Sequence, residues 1–218
     1  MSETHPHLPL FPLPIVACPG DLVPLHIFEQ RYRDMMAYCL DEARSESERQ
    51  FVICLARDEA MESTGCAMRI GEVVQTYDDG RLDILARAMH RVAVRETSAE
   101  GSYSTVAVDV VADDEASVDP ELEQEVVKLA TTYLGLAQGP SYVPAVAGQQ
   151  LTSYRVAHET IEDVVIRQHL LEQTREAERL TYLQRYFCKA IPRLRKLEQI
   201  NSQVKTNGHF KGFPGVEE

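Results

Sequence analysis

The sequence predicts an α+β fold, with strands first and helices second. Up to about residue 112, apolar residues alternate or run in short blocks, the period of strands. Beyond residue 120, apolar residues recur at spacings of three and four, the period of helices. One helix interrupts the strands early, where Tyr32, Met35, Met36 and Cys39 share a stripe. Segregation of this kind argues for α+β, or for two subdomains joined near residues 112–120. The expected division is a β-rich unit over 1–116, a helical subdomain over 117–204 and a flexible tail over 205–218.

Taken in order, "HLPLFPLP" (7–14) alternates apolar residues with proline. Proline lacks an N–H, so this reads as an edge strand. "VACPGD" (16–21) is a turn punctuated by Pro-Gly, and "LVPLHIF" (22–28) is the second strand. The early helix begins at about Glu29, whose charge suits a helix N-terminus. "DEARSESERQ" (41–50) is polar and ends it, and "FVICLA" (51–56) is a buried strand. In "TGCAMRIGEVVQTYDDGRLDILARAMHRVAV" (64–94), Gly71 marks a bulge and Asp79-Gly80 a hairpin turn. "YSTVAVDVVA" (103–112) alternates through Val106, Val108 and Val110 and completes six strands.

"DDEASVDPELEQE" (113–125) reads as a solvated acidic linker running into a helix N-terminus. Leu122, Val126, Leu129, Ala130, Tyr133 and Leu134 mark that helix. "GPSYVPAVAG" (139–148) is a linker. Short helices follow around Tyr154 and around Val164–Leu171. Thr174 is placed to cap a last helix striped by Leu180, Leu183, Tyr186 and Phe187. Pro192 should break or kink it.

Totals limit the function. The 218 residues suffice for a sizeable core, and no apolar stretch reaches the roughly 20 residues of a membrane helix. "MSETHPHLPLF" does not read as a secretion signal, so a cytoplasmic setting without a membrane partner is expected. A net charge of −12 repels a phosphate backbone, which argues against nucleic acid as a partner. Arg87, Arg91 and Arg95 fall on one strand face by spacing, but three arginines make a thin case for RNA. The five cysteines include no CxxC pair and read as free thiols. Cys18, in a turn, should be the most exposed. No histidine pair has metal-ligand spacing, and His158 and His169 are separated by a turn. No catalytic, metal or cofactor residue is assigned.

"LPLFPLPIVACPGDLVPLHIFEQRY" resembles the start of the N-terminal, substrate-binding domain of the Lon protease family. That family opens with a Leu-Pro-Leu strand, a Pro-Gly turn, a Pro-Leu strand and Ile-Phe-Glu-x-Arg-Tyr. The hairpin block 64–94 and "RQHLLEQTREAERLTYLQRYF" (167–187) are similar to its later blocks, so the resemblance spans roughly residues 8–190. It implies a PUA-like, six-stranded pseudo-barrel with one helix, followed by a helical bundle. The family's ATPase and peptidase modules do not carry over, since no GxxxxGK[ST] loop is present.

The resemblance implies a non-catalytic module for unfolded or partly folded polypeptides, which it would pass to a protease or chaperone. Candidate peptide-binding residues are Pro24, His26, Phe28, Arg31 and Tyr32, and self-association as a homodimer would use the same surface. A structural reading of the same stretch stands beside this one. Phe28 and Tyr32 would pack the helix onto the barrel, with Glu29 or Arg31 pairing at the joint. An RNA-binding PUA-like protein and an enzyme with an unrecognised site remain the alternatives.

Overall fold

The computed structural model describes residues 7–58, 60–114, 117–138 and 151–207. The strands are β1 (His7–Leu13), β2 (Leu22–Ile27), β3 (Gln50–Arg57), β4 (Ala60–Met61), β5 (Thr64–Thr76), β6 (Leu82–Ser98) and β7 (Thr105–Val110). Helix α1 (Gln30–Leu40) lies between β2 and β3. After the strands come α2 (Pro120–Gln138), α3 (Thr152–Thr160), α4 (Val164–Glu172) and α5 (Glu176–Asn207). The α+β order is as expected, with the two-residue β4 added to the six strands. The 139–148 linker lies outside the described residues.

The strands pair in the order β1-β7-β6-β5-β3-β4, and β1 also pairs with β3 in parallel. The pairing path therefore returns to its start. Strand β6 is long enough to serve two neighbours along one side: Leu82–Arg87 face β2, and Val92–Ser98 face β7. Among the described residues, strand β2 pairs with β6 alone.

Strand β1 is not the edge that its prolines suggest. Its start pairs with β7 (Leu8 opposite Val106) and its end with β3 (Leu10 opposite Val52). Each half has a single ladder neighbour. Each proline can therefore turn its nitrogen to the side where no donor is required.

Two apolar cores fill the β-rich half. Phe11, Ile27, Phe51, Met68 and Ile84 meet Tyr32, Met35, Met36 and Cys39 of α1 in one of them. Helix α1 thus buries its predicted stripe against the sheet. Each fully buried methionine there contributes about 1.5–3 kcal/mol. Leu8, Leu10, Val52, Val92, Val106 and Val108 form the second. The bundle core gathers Val126, Ala130, Leu170, Leu180, Leu183 and Phe187. A fourth cluster bridges the halves: Val16, Cys18 and Leu55 pack with Tyr154 and Leu171.

Cys18 is therefore wholly buried, and the exposed cysteine is Cys188. The turn that holds Cys18 is roofed by the helices, which turn chemistry alone does not reveal. Helix α5 starts at Glu176, and the Thr174 carbonyl accepts from the Asp114 N–H. The helix runs through Pro192 to Asn207, so Pro192 does not end it and residues 205–207 are helical. Residues 208–218 lie outside the described residues.

Candidate functional site

Strand β2 alternates, so its odd and even positions face opposite ways. Val23 and Leu25 pack toward the core and Ile27 is buried, while Leu22, Pro24 and His26 are exposed. Phe28 continues this outward series just past the strand, 59% exposed. The expectation that Phe28 packs α1 onto the sheet is therefore wrong. Ile27 and Tyr32 do that work, and Phe28 is the residue between them that must point out. Its ring lies 6.0 Å from that of His26, with the planes 24° apart.

Strand β6 supports this face, with Arg87, Leu85 and Asp83 opposite Leu22, Pro24 and His26. Asp83 holds His26 by an Oδ1–Nδ1 contact of 2.5 Å and accepts from the Tyr77 hydroxyl at 2.7 Å. These two hydrogen bonds, the Tyr77 one first, hold the Asp83 carboxyl below the usual carboxylate range. The His26 ring meets the Tyr77 ring edge-on at 5.9 Å, and Arg81 lies 4.9 Å over Tyr77. Asp83 thus fixes an aromatic group of Tyr77, His26 and Phe28. Local spacing does not reveal Tyr77 and Asp83, because the hairpin brings them to β2 from fifty or more positions away. Val74 on β5, 60% exposed, and Leu22, 43% exposed, add apolar area to the sheet surface.

The other two candidates lie elsewhere. Tyr32 is buried with its ring 4.2 Å from Phe11. Arg31 pairs with Glu29 at 2.8 Å and covers the Tyr32 ring at 4.4 Å. Together they border a small cleft of about 120 Å³ with Tyr103 and Ser104. Pro24, His26 and Phe28 therefore form one surface, while Arg31 and Tyr32 belong to the strand–helix joint.

A different polar cluster joins the two halves. Arg91 is buried and donates to the carbonyls of Leu171 (2.9 Å), Gln173 and Ala112 (3.1 Å), and to Asp113 (3.2 Å). It does not share a face with the exposed Arg87. The pairing shifts by one residue between Ala67 and Met68, passing over Met89, and this turns Arg91 inward. Arg179 binds Asp113 (2.6 Å), Glu176 and the hydroxyls of Ser153 and Tyr154. Arg167 reaches Asp21 at 2.5 Å, and Asp21 also holds the Cys18 N–H and His158. Asp113 and Asp114 are thus not a solvated linker: Asp114 pairs with Arg175 at 2.9 Å.

The buried thiols are poor nucleophiles. Burial pushes Cys18, Cys39 and Cys54 up to about 12, and Cys66 well above its ordinary value. Among the described residues, no group of three or more His, Cys, Asp or Glu could hold a metal ion, and no helix is long and apolar enough to cross a membrane.

A closed pairing path in the first half, a helical half behind it and an ion-paired joint define the chain's class, and comparison with known proteins names it. Residues 7–189 match the ATP-dependent protease La (LON) substrate-binding domain, and the chain belongs to that family. It is 28% identical over 208 residues to Lon protease 2 of Syntrophobacter fumaroxidans, covering 88% of this chain but a quarter of that protein. Two solved structures share its fold. The Lon N-terminal domain protein from Xanthomonas campestris has a TM-score of 0.63 and 24% identity, covering 82% of this chain and 96% of that one. The N-terminal domain of Mycobacterium avium complex Lon protease has a TM-score of 0.61 and 19% identity, covering 84% and 98%.

Proposed function

We propose that this chain is a non-catalytic binding module for unfolded or partly folded polypeptides, which it passes to a protease or chaperone in the cytoplasm. The closed strand path is the PUA-like pseudo-barrel of this reading, and it serves as a rigid mount. The binding surface is the outward face of β2, with Pro24, His26 and Phe28 at its centre, and Arg31 stays with the strand–helix joint. Tyr32 contributes by seating α1 beneath it.

The observation that carries the reading is the exposure of Phe28. A phenylalanine more than half in water and stacked beside His26 is an apolar surface the fold does not use. Polar groups at its margin, Asp83, Arg81 and Arg87, suit a contact that forms and releases. The family membership supports polypeptides as the ligand class. The raised thiols and the burial of Arg91 weigh against a cysteine enzyme and an arginine stripe for RNA.

The test is light scattering from a chemically denatured client diluted with this protein. The native chain should retard aggregation, and Phe28→Asp should lose most of that effect at unchanged melting temperature. Equal retardation by both proteins, or none by the folded native chain in several-fold excess, would overturn the reading.

A further inference from the structure

A cleft of about 780 Å³ lies between the end of α4 and the first three turns of α5, away from β2. That volume is within the range of small-ligand sites. One wall is aromatic: the rings of His169 and Tyr182 lie 4.6 Å apart. Gln173 Nε2 bonds to His169 Nε2 at 2.7 Å, which leaves the Gln173 Oε1 shielded from water with no partner among the described residues. A shielded acceptor without a donor is costly unless something supplies one.

The two arginines of the cleft differ. Arg175 is occupied by Asp114 at 2.9 Å and Glu178 at 3.7 Å. Arg185 makes no ion pair among the described residues and lines the cleft. It is a guanidinium facing a concave surface on a chain of net charge −12. Arg185 follows Tyr182 by three residues, so the two share one face of α5, about 4.5 Å apart along the axis.

We infer that this cleft binds the C-terminal residue of a polypeptide, with a free α-carboxylate on Arg185, an apolar or aromatic side chain against Tyr182 and His169, and its N–H donated to Gln173 Oε1. The three features match the three groups that a terminal residue presents together. A guanidinium suits a carboxylate because its paired N–H donors fit both oxygens. This inference rests on the proposed polypeptide-binding role and gives it a second, end-specific site.

The experiment is calorimetric titration of the full chain with an acetylated hexapeptide ending in phenylalanine, as free acid and as C-terminal amide. The free acid should bind at least fivefold more tightly. Arg185→Gln, an exposed position, should abolish that preference without shifting the melting temperature, and Tyr182→Ala should weaken both peptides. Equal affinity of acid and amide, or a preference that survives Arg185→Gln, overturns the inference. N-acetyl-phenylalanine binding as tightly as the hexapeptide also overturns it, by making the ligand a small carboxylate. Suppressed client aggregation without a terminus preference would sink this site and leave the β2 surface standing. A terminus preference without suppression would do the reverse.

Discussion

The guanidinium of Arg91 on β6 donates to the main-chain carbonyl of Leu171 at the end of α4, eighty residues later, at 2.9 Å. The same side chain reaches the carbonyls of Gln173 and Ala112. One buried cation thus satisfies the C-terminal carbonyls of a helix and fastens the helical half to the sheet. Helix C-termini leave such carbonyls orphaned, and a cation there complements the helix dipole.

Arg91→Met removes that cation and its bonds to the Leu171 and Ala112 carbonyls, while Arg179 still donates to that of Gln173. Stability should fall by about 3–5 kcal/mol in urea denaturation. Arg91→Lys should recover little, since an ammonium cannot spread its donors as a planar guanidinium does. A loss below about 1 kcal/mol would mean the joint is held by its apolar cluster alone.

Phe28→Ala should change stability by under about 1 kcal/mol, since the ring is mostly in water. Ile27→Ala, one residue earlier and 1% exposed, should cost about 2–5 kcal/mol. Thermal melts of the pair read the alternation of β2 directly.

His158 contributes a pH dependence. Its hydrogen bond to Asp21 raises its pKa above the ordinary histidine value, against opposing effects of burial and Arg167. A group raised on folding stabilises the fold fully below its unfolded pKa, about 6.5, and loses that contribution as pH rises through the folded value. The native melting temperature should therefore decline from pH 6 to pH 8 more than that of His158→Gln. The ring is about half exposed, so the difference should be small. Parallel slopes for the two proteins would remove His158 from the joint.

Gly80 has φ +84° in the turn between β5 and β6, a conformation that costs other residues about 1–2 kcal/mol. Gly80→Val should lower the melting temperature. Gly65→Ala should be worse, because its Cβ would lie 2.6 Å from the Ile53 carbonyl oxygen, which is backbone and cannot swing away. An unchanged melt for Gly65→Ala would contradict the β3–β5 pairing.

Local patterning made the elements legible. The stripe of α1, the hairpin at Asp79-Gly80, the bulge at Gly71 and the faces of α2 and α5 all follow from short-range spacing. The failures are long-range. Strand β1 looked like an edge because its closure needs β3 and β7, more than forty positions away. The turn at Cys18 looked open because the helices that bury it come more than 130 positions later. Arg91 leaves the face of Arg87 that its spacing predicts because one residue, Met89, is skipped in the pairing between them. The candidate site divided for a related reason. Pro24, His26 and Phe28 share the parity of β2, whereas Arg31 and Tyr32 follow the turn of a helix.

If the outer face of β2 grips unfolded chains, position 28 must touch them. A photo-crosslinking amino acid placed at position 28 reads that contact, with a matched probe at the exposed position Val165 on α4 as the control. Crosslinks to a denatured client are expected from position 28, with few from position 165 and few from either once the client has folded. Equal yields from the two positions, or none from position 28 while the client is held in solution, would contradict it.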